Sequence, residues 1–244
     1  MSIPGEAKCE IPIVLTATVV PLAPSPGSAL AASRLTEYVQ SLGFYRRHAP
    51  VIFLENSNYP LEQHVEFRET PGLQIRRFPP SANPERGKGF QEFEMLDAWL
   101  ARESHPPARW LKITGRYQVM NVLRILEECR HKPSTGLIID QIARATLART
   151  HLFCVNTGFY QKRLAGLYCR CDDRNGEWIE RVLFRELKTS PTQEVCFFRT
   201  QPRIAATAGS SGAAFPTGRA QWLAKQALRS LNRLFDRQRL WYPK

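Results

Sequence analysis

Acidic residues are scarce in this chain of 244: Asp and Glu number 22 against 34 Lys and Arg, a formal net charge of +12. The deficit implies a polyanionic partner: nucleic acid, an anionic membrane surface or a phosphorylated small molecule. Charge alone does not choose among them. Paired cysteines of the metal-binding or redox kind are lacking. The six cysteines fall at 9, 129, 154, 169, 171 and 196, none in C-x-x-C, and Cys169-Arg-Cys171 is too tight for common zinc spacing. A chain of this size needs no disulfide framework, so reduced thiols and a cytoplasmic setting are expected. Long apolar runs are missing as well. Ile11–Leu22 is short, contains Pro12 and follows Glu6 and Glu10, so neither a membrane span nor a signal peptide is expected there. There is no Walker A motif, no G-x-G-x-x-G, no H-E-x-x-H and no internal repeat.

What is present reads as an α/β protein. Ile13–Val20 is β-branched and apolar, the pattern of a strand covered on both faces. A proline-rich loop over 21–28 leads to a helix over 29–42. A second buried strand over 50–54 ends in Glu55-Asn-Ser-Asn58, and 73–78 is a third. A polar loop over 79–89 precedes a helix from Phe90 to about Arg102. Trp110–Ile113 is a strand, and Val119, Val122, Leu123 and Leu126 give one face of a helix over 117–129. Leu137–Asp140 is a strand, 150–159 is strand-like, Trp178–Leu187 is a helix and Val195–Phe198 a late strand. The β-α-β-α rhythm predicts a mostly parallel sheet with helices on both faces. The main domain is expected over 1–216, and a basic amphipathic tail over 217–244.

The most informative segment is Trp110-Leu-Lys-Ile-Thr-Gly-Arg-Tyr117. As a strand–turn–helix corner, Thr114-Gly115-Arg116 offers free backbone N–H groups beside Lys112 and Arg116, a ready phosphate site. A strand end with two solvated cations fits the same residues equally well. Parallel sheets bind ligands outside the carboxyl ends of their strands. That edge gathers Thr16, Glu55, Asn56, Lys112–Arg116 and Asp140. Glu55 and Asn56 could hydrogen-bond a base or ribose, or simply form a turn. Lys88, between Gly87 and Gly89, could approach a phosphate. Ser210 and Ser211, inside Gly209–Gly212, could wrap an anion with backbone amides or belong to a linker.

The order of these pieces resembles the GT-A-like (Rossmann-like) glycosyltransferases of bacterial capsule and lipopolysaccharide gene clusters. The carrying features are a strand ending in Glu55-Asn-Ser, Gly87-Lys-Gly89 before a helix, and a strand ending in Lys112-Ile-Thr-Gly-Arg-Tyr117. The match runs from about Ile11 to Tyr117, with a weaker likeness through Ile179-Glu180 and 202–212. Most members place Asp-x-Asp, which holds a divalent metal, where this chain reads Lys112-Ile-Thr-Gly-Arg116. The resemblance therefore implies transfer of a sugar from a diphosphate donor to a glycan or lipid-linked acceptor. Neither metal nor cofactor is expected, because Lys112 and Arg116 could supply the positive charge. Phosphoribosyl diphosphate would suit the same corner as donor.

Inverting glycosyl transfer needs a carboxylate to accept the proton of the acceptor hydroxyl. The candidates rank Glu180, Asp140, Glu92. Each has a plain alternative: a solvated helix acid for Glu180, a helix cap for Asp140, and a dipole-favoured first-turn acid for Glu92. His105, His131 and His151 lie in no ligand spacing. In the helix over 218–239, Leu223, Ala227, Leu231, Leu234 and Phe235 line one face, and Lys225, Arg229, Arg233 and Arg237 the other. That helix either lies peripherally on an anionic membrane or packs its apolar stripe on the domain. Two other readings compete with an enzyme: a nucleic-acid-binding protein, and a non-catalytic partner of a larger assembly. Dispersed cations and the lack of an aromatic–basic motif argue against nucleic acid.

Overall fold

The computed structural model describes residues 10–21, 31–140, 147–190, 194–205 and 218–235. Seven strands form one sheet: β1 (Ile13–Ala17), β2 (Val51–Glu55), β3 (Leu73–Arg77), β4 (Arg109–Thr114), β6 (Leu137–Asp140), β7 (Arg149–Asn156) and β8 (Val195–Phe197). Their order is β3-β2-β1-β4-β7-β6-β8. All run in one direction except β7, which is antiparallel to both neighbours. The short strands β5 (Gln118–Val119) and β9 (Ile204–Ala205) pair separately. Every residue of β1 and β2 is buried, as a sheet covered on both faces requires.

Helices α1 (Ala31–Tyr45) and α3 (Val122–Arg130) cover one face. There Tyr38, Leu42 and Tyr45 join Phe53, Ile125 and Leu126 in one apolar cluster. Helices α2 (Lys88–Arg102) and α5 (Ile179–Lys188) cover the other. Trp99, Trp110, Phe153, Tyr160 and Leu183 form the core of that face, Trp99 meeting Trp110 edge-on at 5.2 Å. A one-turn helix, α4 (Thr157–Phe159), runs from β7 into a π-helical turn over Tyr160–Leu164. The expected α/β architecture is therefore present, a mostly parallel sheet between two helical layers.

Two segments differ from expectation. The predicted helix from Tyr117 starts only at Val122, because residues 118 and 119 pair with β9 instead. Tyr45 fixes this arrangement. Its hydroxyl donates to the Tyr117 carbonyl at 2.8 Å and accepts from the Val119 amide at 2.8 Å. Val119 is buried as a strand residue, while Leu123, assigned to the apolar helix face, is 55% exposed.

The C-terminal helix α6 (Arg219–Phe235) is not packed on the domain through its apolar stripe. Polar side chains fasten it. Trp222 Nε1 donates to the Gln201 carbonyl at 2.8 Å, and Gln226 Oε1 accepts from the Gln201 amide at 2.6 Å. Arg229 donates to the Phe198 carbonyl at 3.1 Å and to Asp140 at 2.5 Å. Residues 222, 226 and 229 share one helix face, so Leu223, Leu228 and Leu231 are left more than half exposed. Leu223 and Leu231 of the apolar stripe are thus not part of the domain core, and Arg229 is not a solvated cation. Arg237 and the side chains of Arg233, Leu234 and Phe235 lie outside the described residues.

Asp140 is 1% exposed and also faces Arg149 at 3.7 Å and His151 at 3.5 Å. Burial alone would raise its pKa; His151 and Arg229 outweigh burial and hold the carboxyl well below the usual range. The resulting stability is present above the ordinary Asp value near 4 and fades as pH falls below it. Arg229→Ala should therefore lower unfolding free energy by about 1–3 kcal/mol at neutral pH, with a smaller loss at pH 3. Urea melts at the two pH values check this; an equal loss at both would detach the effect from Asp140.

Candidate active site

Because β7 runs against its neighbours, its amino end joins the carboxyl ends of β1, β2, β4 and β6 along one edge. A continuous set of contacts crosses that edge. Thr16 Oγ1 donates to Glu92 Oε1 at 2.5 Å. The same oxygen receives Lys112 Nζ at 2.7 Å. Lys112 Nζ also donates to the Thr150 carbonyl at 2.8 Å and to Thr114 Oγ1 at 3.2 Å. Thr150 Oγ1 then donates to Glu180 Oε1 at 3.2 Å. Side chains from β1, α2, β4, β7 and α5 are thereby locked together.

Lys112 is fully buried at the centre of this set. Burial pushes its ammonium pKa down, and Glu92 and then Glu180 oppose the shift. A buried cation is tolerated only when paired and hydrogen-bonded, and Lys112 is both. This corrects the expectation that Lys112 faces a phosphate: it is internal, and Glu92 is its counterion. Glu92 is accordingly no free proton acceptor either.

The corner after β4 is also altered. With α3 starting at Val122, no helix terminus backs Thr114–Arg116. Gly115 is dictated by close approach, since a Cβ there would lie 2.7 Å from the Thr16 carbonyl, to which its own amide donates at 2.9 Å. Arg116 reaches out to Glu37 Oε2 at 2.7 Å, its side chain 9% exposed.

The positive charge of the edge gathers around Lys88. Burial lowers the Lys88 pKa first, and the nearby Arg34 and Arg116 lower it further, so three cations converge. Arg34, on the first turn of α1, is only 9% exposed. On the far side of Lys88 is Asp173. Its carboxylate accepts the Lys88 backbone N–H, and burial raises its pKa. Gly87 permits this contact, having φ 109° and no room for a Cβ, which would fall 2.0 Å from Asp173 Oδ2.

Glu180 is half-buried, and burial, then the carboxylates of Glu92 and Asp173, raise its pKa against the Thr150 hydrogen bond. It is the one ranked acid that keeps proton-accepting chemistry. Asp140, at the same edge, is held ionised by the cations around it and has little basicity. Glu55 and Asn56 are buried and turned inward. Glu55 Oε1 accepts from the amides of Val19 and Ser57 at 3.4 and 2.8 Å. Asn56 Oδ1 accepts from Thr18 Oγ1 at 2.6 Å, and its Nδ2 donates to the Gln91 carbonyl at 3.4 Å. Both brace the loop after β1. Ser210 and Ser211 lie outside the described residues.

Sequence reasoning placed Thr16, Glu55, Asn56, Lys112, Thr114, Arg116 and Asp140 at one edge and named Lys88 and Glu180 as candidates elsewhere, but missed Arg34, Thr150 and Asp173. Arg34 left a trace, since it occupies the apolar stripe that continues through Tyr38, Leu42 and Tyr45. Asp173, in an exposed Asp-Asp-Arg turn, left none. Among the described residues no group of three or more His, Cys, Asp or Glu side chains is arranged to hold a metal ion.

No protein-family model matches the chain, and no curated protein does. Solved structures resemble it in outline. Rv0371c from Mycobacterium tuberculosis shares 16% identity over 78% of this chain and 87% of its own, with a TM-score of 0.46. A cytidylyltransferase from Leptospira borgpetersenii shares 12% over 78% of this chain and 75% of its own, with a TM-score of 0.44. Mouse xyloside xylosyltransferase 1 shares 10% over 65% of this chain and 70% of its own, with a TM-score of 0.40. These neighbours thus include a nucleotidyltransferase and a glycosyltransferase. Likeness at this level assigns no activity, ligand or partner to this chain.

Lys112→Met isolates the Glu92 carboxylate and should cost on the order of 3 kcal/mol in urea denaturation. Adding Glu92→Gln should restore much of that loss. A stable Lys112→Met protein would return Lys112 to the role of a ligand-facing cation.

Proposed function

We propose that the chain is a GT-A-like glycosyltransferase. In this reading it moves a sugar from a diphosphate-activated donor to a glycan or lipid-linked acceptor, without a metal ion. The observation that carries the reading is the grouping of Arg34 and Arg116 around Lys88 at the carboxyl edge of the sheet, with Asp173 lying between Lys88 and Glu180 in the chain of electrostatic neighbours. Three cations fixed in a partly buried place suit a departing diphosphate better than solvated cations would, because the low local dielectric strengthens each contact. The role in capsule or O-antigen synthesis rests on the resemblance of the Gly87-Lys-Gly89 and Lys112–Tyr117 segments alone.

Glu180 takes the proton of the acceptor hydroxyl as that oxygen bonds to the anomeric carbon. The bond from that carbon to the donor diphosphate breaks, and its electron pair leaves with the diphosphate toward Arg34, Lys88 and Arg116. A carboxylate with a raised pKa is a better base than an ordinary one. Lys112 and Glu92 act as positioning residues, holding Thr150 and, through it, Glu180.

The acceptor reading draws on α6. Its outward leucines, Leu223, Leu228 and Leu231, suit shallow insertion into a bilayer, with Arg219 and Lys225 exposed beside them. No helix among the described residues is long and apolar enough to cross a membrane. Contact would therefore be peripheral, at a cytoplasmic face. The main domain would span 1–216 and the tail 217–244.

Arg34→Ala and Lys88→Ala should each weaken donor binding about tenfold or more with the fold intact by circular dichroism. Glu180→Gln should reduce turnover by about a hundredfold while donor binding persists. The acid limb of the wild-type kcat profile should lie above the ordinary Glu value, since the ionised form is required and its pKa is raised. Activity should survive EDTA. Calorimetry and product assays with nucleotide sugars and phosphoribosyl diphosphate measure all of these; unchanged donor affinity in both cation variants sinks the reading.

Membrane contact is checked with anionic vesicles. Leu228→Glu with Leu231→Glu should abolish co-sedimentation while leaving activity on a soluble acceptor fragment intact. Binding that persists in this variant and vanishes only with salt would assign contact to dispersed charge.

A further inference from the structure

A cavity of about 700 Å³ lies at the opposite edge of the sheet, between the beginnings of β4 and β6 and the end of β7. Arg109 forms part of its wall. This side chain is 8% exposed, and most of its donors are occupied: Nε meets Cys154 Sγ at 3.1 Å, and Nη1 donates to the carbonyls of Lys132 and Pro133 at 2.6 and 3.0 Å. Its Nη2 is buried and has no hydrogen-bond partner among the described residues. A buried guanidinium donor left unpaired is unfavourable, and native proteins seldom leave one so. Arg130 and Lys162 add two exposed cations to the rim, against a single carboxylate, Glu194. Phe159 supplies an aromatic wall.

We propose that this cavity binds a small organic anion, an apolar body bearing one phosphate, sulfonate or carboxylate group. The head group meets the two rim cations, with the buried Arg109 guanidinium behind them adding to the positive potential, and the body lies on Phe159. A free inorganic ion would leave the apolar wall unused, and a neutral apolar molecule would gain nothing from the positive lining. The site is separate from the carboxyl edge and does not rest on the transferase reading, because β4 runs its full length between Arg109 and Thr114.

Gly158 offers a way to close the cavity. It lines the space, and a Cβ built on it meets nothing within 4 Å, so a larger side chain at the cavity wall is accommodated without a clash at its root. The aryl sulfonate 1-anilinonaphthalene-8-sulfonate serves as the probe, and uncharged N-phenyl-1-naphthylamine as its neutral counterpart. Fluorescence titration of the full chain should show one saturable site for the sulfonate and binding about tenfold or more weaker for the neutral dye, as charge-assisted contacts require. Lys162→Glu and Arg130→Glu should each weaken the sulfonate several-fold. Gly158→Leu should abolish its binding with the melting temperature retained. Leu228→Glu, on the outward face of α6, should leave the affinity for the sulfonate dye unchanged. Equal affinity for both dyes, binding that survives Gly158→Leu, binding lost in Leu228→Glu, or no saturable binding at all would each overturn the assignment.

Discussion

A lysine sits in the middle strand of this protein with no water around it, and the carboxylate of Glu92 makes that possible. Removing an ammonium group from water costs several kcal/mol, and the cost is offset only by a counterion and hydrogen bonds placed within reach. Lys112 has Glu92 at 2.7 Å and the Thr150 carbonyl at 2.8 Å. Meeting those distances fixes α2 over β4, sets β7 beside β4, and draws Thr16 to the same oxygen. A close-packed apolar layer could tolerate small sliding between α2 and the sheet; an ion pair whose cation is fully buried tolerates little. The positions of Lys88 and Asp173 at the start of α2, and of Glu180 beside Thr150, follow from that constraint.

The electrostatic character of the edge is correspondingly divided. One side holds three cations, Arg34, Lys88 and Arg116, the last paired with Glu37. The other holds carboxylates whose pKa burial raises, Glu180 and Asp173. Lys112 belongs to neither, since Glu92 cancels it. A net charge of +12 therefore says less about the edge than the placement of three particular cations does.

Strands were legible in the sequence because β-branched and apolar residues clustered between turn signals, and β1, β2, β3, β4 and β6 all appear where that pattern put them. The edge residues followed from the general geometry of parallel sheets. What failed were long-range partnerships. The helical spacing from Val119 was real, but β9, more than eighty residues later, takes the backbone of 118 and 119. Lys112 read as exposed because its counterion is on another element. The basic row of α6 read as a solvated face because Asp140, far back in the chain, was not known to meet Arg229. Periodicity records which face is apolar; it does not record what covers it, and in α6 the domain takes the polar side.

The reversed strand has a consequence for cohesion. Strands β1 to β4 form one contiguous stretch of chain, β6 to β8 another, and the two halves of the sheet meet only where β4 pairs with β7. The Thr16–Glu92–Lys112 contacts belong to the first half, and Thr150 with Glu180 to the second. The edge therefore straddles a seam. Parting β4 from β7 would dismantle the constellation while each half kept its own strand pairing. Any molecule seated across the edge acts as a clasp between the halves, and its binding free energy adds directly to the resistance of the seam against opening.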